Sequence, residues 1–313
     1  MKAILRERTE RMVEVFPALR RVSSLYGEIL LPRAIFLNLS AASKFAIYDS
    51  LISFYAGEAF DADLPIEAFC RKYKRKIFAL PNITPNGLVM PKAETLNSAN
   101  FLNKSVFDLI EFLGLKDQCE IACPVNLRLN FGIHRSKDVN ARPKSSTNWH
   151  TDIWAGQNAN ELMIHTPIFG DFDENGIAVA LPPAGFYPDF VKALSSFKDG
   201  TRVTDGLNAV AQKPRLMPGK SYIFDSFLLH KTVSMGSDMR GIISFPIKLK
   251  RTVPSDIYRN PLRDDEYIPY AEWKKMGRGV MLVSEKKIRD KPKKDESSNV
   301  YADTFLRIPI LKP

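Results

Sequence analysis

The chain has 313 residues, of which 45% are apolar and 26% charged, a balance typical of a folded globular protein rather than a disordered one. A formal net charge of +10 favours anionic ligands, but no nucleic-acid-binding motif accompanies it, so we expect no nucleic-acid partner. The first residues lack the apolar stretch of a signal peptide, and no segment is apolar for long enough to cross a bilayer. We therefore expect a cytoplasmic protein with no membrane partner.

The first part of the chain, residues 1–120, carries the patterns of amphipathic helices. Apolar residues recur at spacings of three and four from Arg8 to Leu31, from Ser40 to Phe60 and from Asn97 to Leu115. Pro17 should kink the first helix, and Gly114 should end the third. We expect these helices to cover one sheet of the core.

From Ile121 to residue 255 the pattern changes to short apolar runs separated by turns, which predicts strands in two stacked antiparallel sheets. Alternation along Asn126–Gly132 places Arg128 and Asn130 on one face with Asn126. That face either points into the opening of the core, where it could contact a co-substrate, or forms a solvent-facing edge. Residues 256–313 form an extension with a basic loop, and the whole chain is expected to be one catalytic domain.

Three residues, two near the middle of the chain and one in its second half, suggest a metal site. Alternate residues on a strand share a face, so His150 and Asp152 can present an imidazole and a carboxylate to one point. His230 ends an apolar run, residues 222–229, that the turn at Pro218 and Gly219 introduces. Two histidines and one carboxylate form a donor set that suits non-haem Fe(II).

An arginine and a serine follow this set on the next predicted strand. Arg240 precedes the apolar run 241–247, and its guanidinium can grip a carboxylate in a bidentate manner. Ser244 lies four residues further along, on the same face of the strand, where it can help to hold that carboxylate. The pair therefore predicts an anionic co-substrate.

The order His150-Thr151-Asp152, His230 and Arg240 resembles the signature of the Fe(II)/2-oxoglutarate-dependent dioxygenase superfamily, and more loosely its phytanoyl-CoA-hydroxylase-like branch. The resemblance covers about Asn126 to Lys250. It implies an α+β fold with a mainly β core, a cupin-like double-stranded β-helix or jelly roll buttressed by the N-terminal helices. It further implies iron on the triad and 2-oxoglutarate on a group of polar side chains: Arg240, Ser244, Asn130 and Arg128.

Other residues near the predicted metal site have more than one interpretation. His165 lies on the predicted strand Glu161–Phe169 and could face the metal, which would allow a three-histidine cupin site. Asp152 favours the dioxygenase pattern, so His165 is interpreted as a core or pocket histidine. Trp154 shares a face with His150 and Asp152 if their strand continues that far, and otherwise packs in the core. With Gln157, these residues are candidates for contact with substrate.

The reaction implied by the resemblance consumes O2 and 2-oxoglutarate and releases succinate and CO2. We expect hydroxylation of a polar small molecule, such as a sugar derivative, an amino acid or a natural-product precursor, with desaturation and cyclisation as variants. The alternatives are a non-catalytic cupin-like binding protein and a redox-neutral metal-dependent enzyme. Two basic runs, 71–76 and 286–294, are interpreted as solvated surface segments.

Overall fold

The computed structural model describes residues 1–122, 125–134, 142–257 and 267–271. Most of the expected C-terminal extension, including the basic run 286–294, lies outside these residues. The helices are α1 (Lys2–Val15), α2 (Arg33–Phe54), α3 (Ile66–Lys72), α4 (Lys74–Phe78), α5 (Leu96–Ser105) and α6 (Phe107–Phe112), followed by two single-turn helices, Thr201–Thr204 and Leu207–Val210.

Ten strands lie within the described residues. They are β1 (Arg21–Ser23), β2 (Tyr26–Leu30), β3 (Cys119–Ala122), β4 (Asn126–Asn130), β5 (Glu161–Gly170), β6 (Ile177–Ala180), β7 (Lys220–Asp225), β8 (Leu229–Thr232), β9 (Arg240–Leu249) and β10 (Tyr267–Pro269).

The strands form one large and one small antiparallel sheet. The large sheet has the order β1-β2-β7-β5-β9-β3-β10, and β4 also pairs with β9. The small sheet consists of β6 and β8, and single bridges extend it on both sides, at His150↔His230 and Val179↔Gln212. Helices combined with antiparallel sheets confirm the expected α+β class.

The large sheet has two different faces because side chains alternate along its strands. One face packs against the helices in an apolar cluster that includes Leu127, Ile164 and Phe245. The other face, which we call the inner face, packs against the small sheet, since Met163 and Phe224 share a second cluster with Val179 of β6 and with Leu229 of β8. The inner face therefore lines the space between the two sheets.

The N-terminal prediction is wrong in its second half. The helix expected from Arg8 to Leu31 ends at Val15, just before Pro17, and β1 and β2 follow as a hairpin in which Leu25 adopts a φ of 70°. β2 then pairs with β7 and extends the large sheet. The apolar residues of this segment fit both the 3.6-residue period of a helix and the two-residue period of a strand. The helical pattern therefore concealed a pair of strands.

The apolar run 222–229 is also divided differently from the prediction. β7 ends at Asp225, a turn at Ser226–Leu228 follows, and β8 begins at Leu229 in the other sheet. Residues 221–229 are all buried, so burial alone gives no sign of this break. Among the described helices, none combines the length and the apolar character needed to span a membrane.

Candidate metal and co-substrate site

His150 and His230 lie directly opposite each other at the edge of the small sheet. The His150 amide donates to the His230 carbonyl at 3.0 Å, and the His230 amide donates to the His150 carbonyl at 2.8 Å. Opposed residues of an antiparallel pair point to the same side. Their ring centroids accordingly lie 4.3 Å apart.

Asp152 reaches this pair by a different route from the predicted one. His150 forms only an isolated bridge, and Asp152 begins a 3-10 turn, Asp152–Ala155, so the two residues do not share a continuous strand. The turn nevertheless places Asp152 Oδ1 at 3.9 Å from His230 Nε2. The prediction that one strand carries both His150 and Asp152 is therefore wrong, although the three predicted side chains are neighbours.

Both imidazoles are oriented by backbone carbonyls. His150 Nδ1 lies 2.8 Å from the Asn148 carbonyl oxygen, and His230 Nδ1 lies 3.1 Å from that of Leu228. A carbonyl only accepts hydrogen bonds, so each Nδ1 carries the proton and each Nε2 keeps its lone pair. Carbonyls that fix the tautomer in this way are typical of metal-binding histidines.

The electrostatic surroundings keep His150 neutral. Burial lowers its pKa well below 6.5, and the neighbouring His230 lowers it further. Metal binding requires the neutral imidazole, so this environment favours ligation at neutral pH.

The three donors do not form a preassembled cage. Within the described part of the chain, no group of three or more His, Cys, Asp or Glu side chains already has metal-binding geometry. Two imidazoles and a carboxylate nevertheless fit a divalent metal by donor type.

Phe197 covers His150 and was missed from the sequence. Its ring stacks on the imidazole with centroids 4.4 Å apart and planes 9° apart. The Phe197 amide donates to the Pro143 carbonyl at 2.9 Å, which holds the ring in place. No sequence pattern joins these positions, because the contact depends on a loop that folds back over the small sheet.

The register of β4 with β9 places the predicted co-substrate residues on the inner face. Asn130 pairs with Arg240, Arg128 with Ile242, and Asn126 with Ser244. Arg240 and Ser244 are only 3% and 5% exposed, so this face is not a solvent-facing edge. Of the two interpretations of Arg128 and Asn130, the structure supports the inward one.

Arg240 is buried beside the turn that precedes β6. Its Nη2 donates to the Gly176 carbonyl at 3.2 Å, and its guanidinium carbon lies 5.6 Å from the centre of the Phe172 ring. A buried guanidinium in weakly polar surroundings interacts strongly with an anion. Arg240 is therefore suited to hold a carboxylate.

The side-chain amide of Asn130 is hydrogen-bonded to neighbouring segments of the chain. Its Nδ2 donates to Ser234 Oγ at 2.8 Å, and its Oδ1 accepts from the Gly132 amide at 2.9 Å and from Ser234 Oγ at 3.0 Å. These bonds occupy the amide in anchoring the segment after β8. Asn130 thus shapes the site by holding its backbone.

His165 lies near the centre of the inner face. It pairs with Ser244 on β9 and with Tyr222 on β7, and its ring meets Phe224 edge-on at 5.0 Å. Its buried Nδ1 makes no hydrogen bond to the described residues. Burial lowers its pKa well below 6.5, with smaller contributions from the charges of His230, Arg128 and Arg240.

Trp154 and Gln157 lie on either side of the end of the 3-10 turn. Trp154 is fully buried, and its Nε1 donates to the Phe190 carbonyl at 2.9 Å, so it is a core residue and not on a strand face with His150. The backbone amide of Gln157 donates to the Asp152 carbonyl at 3.2 Å. The buried Oε1 of Gln157 makes no hydrogen bond to the described residues.

A cavity of about 390 Å³ opens elsewhere, between the β2 and β7 side of the large sheet and residues 212–217. Its walls combine aromatic and cationic side chains, including Tyr26, Tyr222, Lys213 and Arg215. None of the triad lines it. Tyr222 connects it to the inner face, since this residue pairs with His165.

No protein-family model matches the chain, and no curated protein matches it. Solved structures similar to it include the non-haem α-ketoglutarate-dependent epimerase SnoN from nogalamycin biosynthesis, with 11% identity, a TM-score of 0.38, and 85% of this chain and 98% of that chain covered. EctD from S. alaskensis with 2-oxoglutarate and 5-hydroxyectoine has 12% identity, a TM-score of 0.36, and coverages of 80% and 78%.

A third similar structure, an N-substituted L-amino acid dioxygenase from Burkholderia ambifaria AMMD, has 12% identity, a TM-score of 0.35, and coverages of 71% and 82%. The TM-scores of these structures describe a loose superposition. The resemblance to Fe(II)/2-oxoglutarate-dependent dioxygenases and to their phytanoyl-CoA-hydroxylase-like branch therefore stays a prediction from the sequence.

Proposed function

We propose that this chain is an Fe(II)- and 2-oxoglutarate-dependent oxygenase that hydroxylates a polar small molecule. The observation that carries the proposal is the opposed pair His150 and His230, whose Nδ1 atoms face backbone carbonyls, with Asp152 Oδ1 3.9 Å from His230 Nε2. Two imidazoles and one carboxylate would hold Fe(II), and this donor set is typical of iron sites that also bind a co-substrate.

Each side chain has a distinct task in this proposal. His150, Asp152 and His230 hold the metal, and the carbonyls of Asn148 and Leu228 keep the ring orientations. Bound iron, with 2-oxoglutarate and O2, supplies the oxidising chemistry that acts on a C–H bond and releases succinate and CO2.

Arg240 binds the far carboxylate of 2-oxoglutarate, and Ser244 assists from the same face of β9. Both are buried, and their separation by four residues puts them on one side of the strand. Because the site lies between the sheets, water is largely excluded and the ion pair is strengthened.

The fold consistent with this function is a double-stranded β-helix. The support is the pair of antiparallel sheets that share a buried cluster, with the candidate site between them. The helices on the opposite face of the large sheet would buttress it.

The substrate class is polar and anionic. A net charge of +10 favours anions. His165 offers an unoccupied Nδ1 on the inner face for a polar group of the substrate.

The proposal is tested by thermal shift with Mn(II) alone and with Mn(II) plus 2-oxoglutarate, followed by Fe(II)-dependent succinate release. A ligand at about 100 times its Kd stabilises the folded state by about 2.7 kcal/mol. Asp152→Ala should abolish the metal shift. Arg240→Ala should keep it but lose the 2-oxoglutarate shift. Arg6→Ala, which removes an arginine that is 81% exposed, is the matched control.

Three outcomes discriminate the alternatives. If neither ligand produces a thermal shift, the result would contradict the oxygenase and favour a non-catalytic cupin-like binding protein. A metal shift without any 2-oxoglutarate effect would favour a redox-neutral metal-dependent enzyme. Both shifts together with succinate release would support the oxygenase.

A further inference from the structure

A buried network of four charged side chains lies outside the site described above. Arg8 and Arg11 of α1 meet Asp225, the last residue of β7, and Asp256. Arg8 Nε lies 2.8 Å from Asp225 Oδ1 and its Nη1 lies 2.8 Å from Asp256 Oδ1, whereas Arg11 Nη2 lies 3.4 Å from Asp225 Oδ2. The side chains of both arginines and of Asp225 are completely buried.

Such a network is a costly way to stabilise a fold. The desolvation of buried charges offsets most of their attraction, and well-packed apolar side chains are often equally stabilising.

Arg8 makes contacts beyond the two aspartates. It donates to the Ala159 carbonyl and to Ser226 Oγ, the latter at 3.1 Å, and its guanidinium lies 3.7 Å over the ring of Phe227. Ser226 Oγ in turn donates to the Ala159 carbonyl at 2.7 Å. One guanidinium thus joins two segments of chain.

These two segments lead to different members of the triad. The turn Ser226–Leu228 precedes His230, and its last carbonyl accepts from His230 Nδ1 at 3.1 Å. Asp225 closes the turn, since its Oδ1 accepts from the Phe227 amide and its carbonyl accepts from the Leu228 amide, both at 2.9 Å. Ala159 lies in the loop between the turn of Asp152 and β5.

We propose that Arg8 is a positioning residue for the metal site, which fixes the turn Ser226–Leu228 so that the Leu228 carbonyl holds His230 with Nε2 toward the metal. Its task as a metal-site device rests on the proposed function. The effect on His230 is a property of the protein alone and is measured without metal.

Arg11 provides a matched control within the same network. It shares both aspartates with Arg8 but makes no hydrogen bond to the turn Ser226–Leu228 or to Ala159 among the described residues. A purely structural role for the network predicts similar effects of altering either arginine, whereas a positioning role separates them.

The experiment compares Arg8→Lys with Arg11→Lys, which keep the charge but lose the planar fork. Imidazole ¹⁵N NMR of the metal-free protein reports the tautomer of each histidine. In Arg8→Lys we expect His230 to populate both tautomers while His150, held by Asn148, keeps its proton on Nδ1. In Arg11→Lys both histidines should keep the native tautomer.

Mn(II) calorimetry is the second readout. Loss of a group that orients a ligand weakens metal binding by about 10-fold to 100-fold, and we expect an effect at the lower end for Arg8→Lys and none for Arg11→Lys. Ser226→Ala is a smaller change to the same set of contacts. It should shift the tautomer populations of His230 in the same direction, and it replaces Arg8→Lys in the experiment if that variant does not fold.

Native tautomers in both Arg8→Lys and Ser226→Ala would overturn the proposal, and so would equal perturbation of His230 by the two lysine variants. Failure of the wild-type protein to bind Mn(II) would instead count against the proposed function, since the tautomer measurement tests the action of Arg8 on His230 without metal.

Discussion

The two faces of the large sheet use alternate residues of the same strands for opposite purposes. On the helix-covered face, Ile164 and Phe245 pack in a continuous apolar cluster. On the inner face, their chain neighbours His165 and Ser244 are polar, as is Arg240, and they lie beside apolar side chains such as Phe224. Apolar burial stabilises the first face, whereas buried polar groups on the second cost free energy unless they find partners. The difference teaches that apolar packing and buried polar groups can be separated by the alternation of a single strand.

The sharpest test of this separation uses adjacent residues of β9. Phe245→Ala removes a fully buried ring from the helix-covered face and should lower the free energy of unfolding by about 3–5 kcal/mol. Ser244→Ala, one residue away on the inner face, should cost about 1 kcal/mol or less. Urea denaturation of both variants measures the difference, and similar losses would contradict a division of labour between the faces.

The pH dependence of stability should reveal the buried ionisable groups of the inner face. The pKa values of His150 and His165 are lowered in the folded state, so they bind fewer protons folded than unfolded and destabilise the protein as pH falls below about 6.5. Burial, opposed by hydrogen bonds, raises the pKa of Glu161 to about 8, so its contribution is lost as pH rises toward that value.

The two effects combine into a maximum of stability near pH 6.5. Below about pH 6.5 the unfolded chain binds two more protons on these histidines, whereas the folded chain holds one more on Glu161, a net difference of one proton. Above about pH 6.5 only the Glu161 proton remains. The free energy of unfolding therefore falls by about 1.4 kcal/mol per pH unit on either side of the maximum. Glu161→Gln should remove the fall above the maximum, and His165→Asn should flatten the fall below it. Urea denaturation from pH 5 to 8 tests this, and a monotonic profile in the wild-type protein would refute it.

The smallest expected effect concerns the ring that covers His150. Phe197→Leu keeps most of the apolar volume but loses the stacked contact, and such aromatic pairs contribute about 0.5–1.5 kcal/mol. We expect Mn(II) affinity to fall by a corresponding amount in calorimetry. Phe190→Leu, in the same apolar cluster but in tilted contact with Trp154, is the control and should leave the affinity unchanged.

Strands with a strong local signal were predictable from the sequence. β5 was expected at Glu161–Phe169 and is found at Glu161–Gly170, and β9 begins at Arg240 as expected. The helical pattern from Ser40 to Phe60 corresponds to α2, although the helix begins earlier, after Pro32. Alternation also placed Arg128 on the face of Asn130, because the side-chain period of a strand is a local property.

Predictions failed where a long-range contact decided the conformation. His150 and Asp152 were expected on one strand, but pairing with His230 ends at a single bridge and a 3-10 turn carries the carboxylate. β2 reads as a continuation of α1 until its pairing with β7 is known. In both cases the local pattern fits two structures, and a distant partner selects one of them.

The sequence by itself determined the candidate donors, their order along the chain and the alternation that separates a binding face from an apolar one. Tertiary structure alone decided that Phe197 covers His150 and that Arg8 contacts Ser226 and Phe227 in the turn before His230. The physical reason is that periodicity reports which side of an element a residue occupies, whereas the partner on that side is set by how distant elements pack.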